Sequence, residues 1–283
     1  MVSKLVSKET RALLRKNRKF WVSTIIVVFV ISLGLLGPLA TKYGPRTPAG
    51  TPRSPPTLNH PFGTDYFGYD VFAEVVYGIR VSLSVGVIAA IVATTIGVLL
   101  GMIAGLKGGW IDSLVEFATN TFLTIPSLLV ILLITAYMGR REITDMGLLI
   151  GAFSWPWTAR AVRSQVAALK ASDYVSLSYL SGNSSFRVLY KDILPNIASY
   201  ILLVFVIQFS GGILAVVTLE FLGMGAAEWS LGAILNLAVI WGAVTLDVWW
   251  WFFPGIIIVL LMSSLYILVI SLEEVFNPRL RRE

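Results

Sequence analysis

The chain has 283 residues, of which 56% are hydrophobic and only 13% are charged, and its mean hydropathy is +0.79. A water-soluble domain carries about 25% charged residues, so this composition predicts a membrane protein. It excludes a cytosolic enzyme, a disordered chain and a DNA-binding protein, and the net charge of +6 does not indicate a nucleic-acid partner. The absence of cysteine and the single histidine, His60, exclude thiolate or His-rich metal sites and cysteine nucleophiles.

Uncharged runs predict an all-α polytopic membrane protein with six transmembrane helices, because about 20 apolar residues suffice to cross a bilayer. The runs are Phe20–Ala40, Val81–Leu106, Phe117–Gly139, Met146–Ala159, Ile193–Leu219 and Val248–Leu272. The short fourth run is extended by Ala161 and Val162, since Arg160 before them can reach the membrane surface. In the second run, glycines at 97, 101 and 105 share one helix face and predict close packing against another helix.

The orientation follows from the basic residues. Residues 1–19 are rich in Lys and Arg, so the positive-inside rule places the N-terminus in the cytoplasm. Six spans return the tail, residues 277–283, to the same side. A seventh span over Trp229–Leu246 would put the arginines of that tail outside, and Gly232 and Gly242 interrupt the run. We therefore predict that Trp229–Leu246 lies at the outer surface, or dips into the membrane and returns.

The loop after the first span, Thr41–Ile79, is predicted to be external. Its six prolines favour an extended, semi-rigid spacer over Thr41–Leu58. The stretch that follows, His60–Asp70, is different, because two glycines and the carboxylates Asp65 and Asp70 stand among aromatic residues. Such a composition predicts a defined turn.

The loop between the fourth and fifth spans is predicted to contain two short helices joined by a glycine elbow. Ser172 can cap the first helix, and Gly182 suits its left-handed stop. Ser184 or the serine after it can cap the second helix, and Pro195 disfavours helical geometry at Leu194 before the fifth span. A first helix of this kind can lie on lipid headgroups or insert into a groove of a partner protein.

This loop resembles the cytoplasmic coupling loop of the permease subunits of binding-protein-dependent ABC importers. The matching residues are Asp173, Tyr174, Val175, Gly182, Ile193, Leu194, Pro195 and Asn196. Two other stretches are similar to the second permease of dipeptide/oligopeptide/nickel-type importers. The first comprises His60–Asp65, Gly68, Asp70, Tyr77–Arg80 and Ser82–Leu83. The second comprises Glu220–Gly225, Trp229, Phe253–Gly255 and Asn277–Arg281.

The chain departs from the family pattern at three places. Ser176–Ser178 replaces the family's Glu-Ala-Ala, Tyr69 stands where an Arg is usual, and Asp192 stands where a His is usual. The elbow between Gly182 and Pro195 is expected to persist. The salt-bridge pattern to an ATPase is expected to differ.

The resemblance implies the permease fold of type I ABC importers and an activity without catalytic residues or a metal in this chain. No Gly-Lys dipeptide occurs, so the phosphate-binding Walker A sequence is missing, and ATP and Mg²⁺ are expected on partner subunits. The implied partners are a second homologous permease, two ATPase subunits, a solute-binding protein outside the membrane, and the lipid bilayer of the cell membrane. The implied mechanism is alternating access, in which ATP draws the ATPases together against a coupling helix at Ser172–Gly182.

The resemblance and the sequence pattern together give three sets of candidate residues. ATPase coupling is expected from Asp173, Tyr174, Leu177, Gly182, Arg187, Pro195 and Asn196. Contact with the binding protein is expected from Asp65, Asp70 and Arg80 in the external segment. Lining of the pathway, or equally hydrogen bonding between helices, is expected from Asn120, Thr121 and Thr124.

The substrate expected from the family is a peptide, with an oligosaccharide such as a β-glucoside as the alternative and an ion-coupled secondary transporter as a distant one. The run Trp249–Trp251 can stack on sugar rings, but an aromatic belt at the membrane surface explains it more simply. Glu116 and Glu220 stand near span ends, where acids more often anchor a helix at the interface or make structural hydrogen bonds.

Overall fold

The computed structural model describes residues 13–139 and 141–276, and the regular secondary structure within them is helical apart from two isolated bridges. We number the helices in chain order. They are α1 (Arg18–Ala40), α2 (Val71–Lys107), α3 (Gly109–Thr124), α4 (Ser127–Tyr137), α5 (Ile143–Lys170), α6 (Asp173–Leu180), α7 (Ser185–Val188), α8 (Leu194–Phe221), α9 (Leu231–Ile240), α10 (Ala243–Leu246) and α11 (Val248–Phe276). Predictions for residues 1–12 and for the 277–283 tail lie outside the described part of the chain.

Among the described residues, four helices are long and apolar enough to cross a membrane: α1, α2, the continuous Ser185–Phe221 segment that contains α8, and α11. The bent pair of α3 and α4 makes a fifth if it is one span. Helix α5 has 28 residues and includes the predicted fourth run, but it also carries Arg160 and Arg163. Helix α2 begins at Val71, well before the predicted Val81. The loop after α1 therefore ends at Asp70, and Arg80 lies within the helix.

The predicted span over Phe117–Gly139 is not one straight helix. Helices α3 and α4 meet at an angle of 74°. The break lies at Ile125 and Pro126, both in extended conformations, because a proline restricts the residue before it and cannot donate a backbone hydrogen bond.

The bundle is centred on α2, and α5 is packed closely along it. The predicted close approach at the glycines 97, 101 and 105 is confirmed, and the neighbouring helix belongs to this chain. A Cβ atom at Gly101 would lie 2.6 Å from the Ala159 carbonyl oxygen, and one at Gly105 would lie 2.8 Å from the Arg163 carbonyl oxygen. Gly151 of α5 likewise faces Val92 of α2. Small residues on both helices thus bring the two backbones together.

Helices α1, α8, α9 and α11 complete the bundle around the first half of α2. Their apolar side chains join one core that includes Val30, Ile79, Ile213 and Trp250. The predicted Trp229–Leu246 segment is not one continuous helix. It forms α9, a left-handed residue at Gly242 (φ 71°) and the short α10, so it is too short to span a bilayer as a single helix.

Candidate functional site

Two segments at opposite ends of α2 carry most of the predicted functional residues. We call residues 41–70 the α1–α2 loop and residues 172–196 the hairpin. The hairpin packs against the end of α2 at Leu106, and the loop leads into the start of α2 at Val71.

The first arm of the hairpin is α6, and it ends as predicted at a left-handed glycine. Gly182 has φ 79°. Its N–H donates to the Tyr179 carbonyl at 2.9 Å, and the Asn183 N–H donates to the Ser178 carbonyl at 3.3 Å. This pair of bonds is a Schellman motif, which requires a positive φ at the glycine. No other group lies within 4 Å of a Cβ placed on Gly182, so only the backbone conformation demands glycine there.

The two serine caps differ. Ser184 caps the second arm as predicted, its Oγ accepting from the Arg187 N–H at 3.4 Å. Ser172 occupies the cap position before α6, but its side chain does not cap the helix and donates instead to the Leu169 carbonyl. Asp173 occupies the first turn of α6, where its negative charge is favourable.

The predicted break before Pro195 is wrong. Leu194 is helical (φ −55°, ψ −43°), and the chain runs from α7 through a π-helical turn, Leu189–Ile193, directly into α8. Proline is tolerated in the first turn of a helix, because its missing N–H would have no partner in that helix. The wider π-helical turn precedes it. The second arm of the hairpin is therefore continuous with the long helix α8.

The inner face of the hairpin is anchored in the bundle. Val175 of α6, Val188 of α7 and Ile193 of the π-helical turn are fully buried in one cluster with Val162 and Val166 of α5. This packing explains why short helices, which are marginal in isolation, are stable here.

The outer face of the hairpin is apolar and uncovered. The exposed fractions are 44% for Tyr174, 62% for Leu177, 83% for Leu180, 78% for Phe186 and 49% for Tyr190. An exposed apolar surface on short helices marks a site for a partner protein or for lipid. Of the predicted coupling residues, Tyr174 and Leu177 belong to this surface.

A polar network joins the two arms of the hairpin. Ser178 Oγ donates to Asp192 Oδ2 at 2.6 Å, and Asn183 Nδ2 donates to Ser178 Oγ at 3.0 Å. Asn196 Nδ2 donates to the Asp192 carbonyl at 2.6 Å. No local sequence pattern links Ser178, Asp192 and Asn196, because they are separated along the chain.

In the α1–α2 loop, the predicted turn over His60–Asp70 is confirmed, and both of its carboxylates are buried. Asp65 Oδ1 accepts from the N–H groups of Phe67 and Tyr69 at 2.9 and 2.7 Å. Asp70 caps α2 at Ala73 and contacts His60 Nδ1, both at 2.8 Å. These carboxylates shape the loop and do not face outward, whereas Arg80 is exposed. Burial raises the pKa of Asp65 to about 6, although the N–H groups of Tyr69 and Phe67 oppose the rise.

The predicted spacer over Thr41–Leu58 is also wrong, because ion pairs fasten it to the helices. Arg46 pairs at 3.1 Å with Glu74, whose side chain is fully buried in α2. Arg53 pairs at 3.3 Å with Asp247 and donates at 2.9 Å to the Trp241 carbonyl. The prolines therefore lie in a loop that is fastened to the helices at Arg46 and Arg53.

Within the run Trp249–Trp251, Trp250 is fully buried in the core, so this ring faces neither a sugar nor the lipid interface. Trp249 and Trp251 are partly exposed. Trp249 donates from Nε1 to the Thr64 carbonyl at 3.1 Å and so joins α11 to the α1–α2 loop.

The polar residues of α3 face away from the core, and one of them is bonded to α5. Asn120 accepts a hydrogen bond from Arg160 at 2.5 Å, and Thr121 and Thr124 bond to backbone carbonyls of their own helix. Arg163 pairs with Asp112 and, at 3.0 Å, with Glu116. The structural role expected for Glu116 is confirmed.

Sequence reasoning missed a cavity of about 430 Å³ beside the α1–α2 loop. Its wall includes Arg46, Tyr69, Glu228 and Asn236, and the Arg46 guanidinium lies 5.3 Å from the centre of the Tyr69 ring. Glu220 also reaches this wall and accepts from the Gly232 N–H at 3.3 Å, which is a structural role. The cavity is formed by segments far apart in the chain, so no sequence pattern indicated it.

Comparison with known proteins gives a consistent result. Residues 97–282 match the family "binding-protein-dependent transport system inner membrane component". A dipeptide transport system permease protein of Bacillus subtilis is 35% identical over 277 residues, which covers 95% of this chain and 84% of that protein. An oligopeptide transport system permease protein of the same species is 30% identical, covering 97% of this chain and 90% of that protein. A glutathione transport system permease protein of Shigella flexneri is 36% identical over 65% of this chain and 61% of that protein.

Proposed function

Because the chain belongs to the family of binding-protein-dependent transport system inner membrane components, we propose that it is a permease subunit of an ATP-driven peptide importer. The observation that carries this proposal is the match over nearly the full length of two permeases named for dipeptide and oligopeptide transport. ATP hydrolysis in this family's systems belongs to a separate subunit, so the chain acts by binding partners and changing conformation.

The proposed topology has six spans with both termini in the cytoplasm of a cell whose inner or only membrane holds the complex. Helices α1, α2, α5, α8 and α11 each make one span, and the bent pair of α3 and α4 makes another. This arrangement places the hairpin inside the cell and the α1–α2 loop outside, with α9 and α10 at the outer surface.

The orientation can be tested because the chain has no cysteine of its own. Leu58→Cys and Ser181→Cys introduce thiols at exposed positions of the loop and the hairpin. A membrane-impermeant maleimide should label the first variant in intact cells and the second only after permeabilisation. Labelling of Ser181→Cys from outside would overturn the topology.

The proposed partners follow from the chemistry of each end. The apolar outer face of the hairpin, with Tyr174 and Leu177, suits a groove on an ATPase subunit that holds ATP and Mg²⁺. A second, related permease completes the pathway, which Asn120, Thr121 and Thr124 line. A solute-binding protein docks on the outer surface, where Arg80 and the exposed parts of the α1–α2 loop lie.

In the proposed mechanism, closure of the ATPase pair moves the hairpin, and α8 moves with it. Support comes from the continuity of α7, the π-helical turn and α8. If 99% of the transporters are inward-open without ATP and 99% are outward-open with it, ATP must bind the outward-open state more favourably by about 5.5 kcal/mol. A rigid connection is needed to transmit such a bias. Asp173, Arg187, Gly182 and Pro195 act by shaping this connection.

The test is reconstitution of the full complex in liposomes with its binding protein. Uptake of labelled dialanine or penta-alanine that requires ATP would support the proposal. The oligosaccharide alternative is not favoured by the named relatives, and labelled cellobiose is the control for it. ATP-driven uptake of cellobiose with neither peptide would overturn the substrate, and uptake driven by an ion gradient without ATPases would overturn the transporter class.

A further inference from the structure

The hairpin contains a polar contact between two positions at which this chain departs from its family's pattern. Ser178 lies on the inner side of α6, and Asp192 lies in the π-helical turn that leads into α8. Their side chains meet at 2.6 Å, and both are partly buried. A hydrogen bond to a carboxylate is stronger than one between neutral groups, and partial burial strengthens it further.

Two asparagines support this contact from either side. Asn183, directly after the glycine elbow, donates to Ser178 Oγ at 3.0 Å. Asn196, in the first turn of α8, donates to the Asp192 carbonyl at 2.6 Å. The network thus joins α6, the elbow, the π-helical turn and α8 by side-chain bonds.

The elbow itself does not fix the angle between the two arms. The two backbone bonds of the Schellman motif hold Gly182 and Asn183 to the end of α6, and neither of these bonds reaches α7. Apart from the packing of Val175 and Val188, the network is what resists rotation of α6 about the elbow. Single-turn π-helices also occur often at functional positions, and this one presents Asp192 to α6.

We propose that Ser178 and Asp192, with Asn183 and Asn196, form a polar clamp that sets the angle of α6 relative to α8. Ser178 and Asp192 are positioning residues. Because of their bond, α8 moves when the outer face of the hairpin is moved, and α6 does not rotate separately about Gly182. This role rests on the coupling function proposed above.

The chain offers matched variants for a test. Ser178→Ala and Asp192→Ala each break the central bond, whereas Ser178→Thr and Asp192→Asn retain a donor and an acceptor. Ser176→Ala and Ser181→Ala are controls, because each of these hydroxyls bonds only to a backbone carbonyl of its own helix, at 3.2 and 2.8 Å. If the two residues act through one bond, the double alanine variant should be no worse than either single variant.

The first measurement is structural and needs no substrate. Spin labels at Ser176→Cys and Lys191→Cys, both exposed, report the distance between the arms in the assembled complex. Ser178→Ala and Asp192→Ala should broaden the distance distribution, and Ser178→Thr and Asp192→Asn should restore a narrow one. An unchanged distribution in both alanine variants would overturn the clamp.

The second measurement is the amount of labelled dialanine or penta-alanine taken up per ATP hydrolysed. Loss of one hydrogen bond changes a conformational equilibrium by about fivefold, so the ratio should fall by about that factor in both alanine variants and in the double variant. Assembly and nucleotide binding should not change. Equal losses in the Ser176→Ala and Ser181→Ala controls would overturn the clamp.

Failure of the clamp and failure of the coupling function give different results. If Leu177→Asp stops transport while Ser178→Ala and Asp192→Ala transport and hydrolyse ATP normally, the hairpin couples to the ATPase without the clamp. If Leu177→Asp also transports normally, the coupling function itself is wrong. If the arms separate in the spin-label experiment while transport per ATP is unchanged, the bond exists but does not transmit motion, and the proposal is overturned.

Discussion

The segments at the two ends of α2 differ in whether their side chains find partners within the chain. In the α1–α2 loop, buried charges meet their partners within the chain: Arg46 pairs with Glu74, and Arg53 pairs with Asp247. In the hairpin, large apolar side chains such as Leu180 and Phe186 are mostly exposed. The loop has these arginines paired within the described chain, and the hairpin presents the kind of apolar surface that binds a partner protein or lipid.

This difference separates stability from function. Variants in the loop should weaken the folded protein while any assembled complex still couples ATP to transport. Variants on the outer face of the hairpin should leave the fold intact and stop transport. Four substitutions test whether stability and transport depend on different ends of α2, and they are ordered from the largest expected effect to the smallest.

The largest effect is expected for Leu177→Asp. It places a charge in the middle of the apolar outer face, so docking into a partner groove would require burial of an unpaired carboxylate. Transport by the reconstituted complex should fall to background, while the abundance of the subunit in membranes is unchanged. Ser176→Glu is the control, because it adds the same charge at the adjacent, exposed position. Normal transport by Leu177→Asp would contradict the contrast between the two ends.

The next effect is expected for Arg46→Met in the loop. Removing the guanidinium leaves the buried Glu74 carboxylate without its ionic partner, which costs about 3 kcal/mol. The subunit should become less abundant and more sensitive to protease, with unchanged transport per ATP in the complexes that do assemble. Combining it with Glu74→Gln should recover part of the loss. Lys42→Ala, at an exposed position, is the matched control and should be silent.

A smaller effect is expected for Gly182→Val. A β-branched residue at φ 79° costs about 1–2 kcal/mol, and no steric clash adds to that cost. The variant should insert into the membrane normally but transport several-fold more slowly, measured as initial uptake rates. Asparagine tolerates the left-handed conformation better than valine, so the initial uptake rate of Gly182→Asn should lie between those of the wild type and Gly182→Val. Equal rates for all three proteins would show that the elbow geometry does not matter.

The smallest effect is expected for Asp65→Asn. Because burial raises the pKa of Asp65 to about 6 in the folded loop, from its ordinary value of 3.8, the folded loop binds the proton more tightly than the unfolded chain does. The loop should therefore lose stability as pH rises from about 4 to 6, and remain level above that. Hydrogen exchange of the Phe67 and Tyr69 amides should show this dependence in the wild type and a weaker one in the variant, whose amide can still accept both bonds. An identical pH dependence in the two proteins would show that Asp65 is not the group whose titration changes the stability of the loop.

Sequence reasoning succeeded where a local rule decides the structure. The apolar runs marked the helices, Gly182 was correctly expected at positive φ, and Ser184 was a correct choice of cap. It failed at the two prolines. Pro126 breaks a helix that its apolar sequence favours, and Pro195 begins a helix where a break was expected. The effect of a proline depends on its surroundings, since Pro156 lies inside the continuous helix α5 and Pro254 inside α11.

The sequence by itself determined the class of this protein, the positions of most helices, and the family, because composition and short ordered motifs are properties of the chain alone. Only the tertiary structure decided what the polar residues do. The proline-rich segment reads as a spacer until Arg46 and Arg53 are seen to meet acids on α2 and before α11. Ser178 and Asp192 likewise have no visible relation until the elbow at Gly182 folds one arm onto the other. A hydrogen bond or an ion pair requires two groups within about 3 Å, and for residues distant in sequence that proximity is created only by packing.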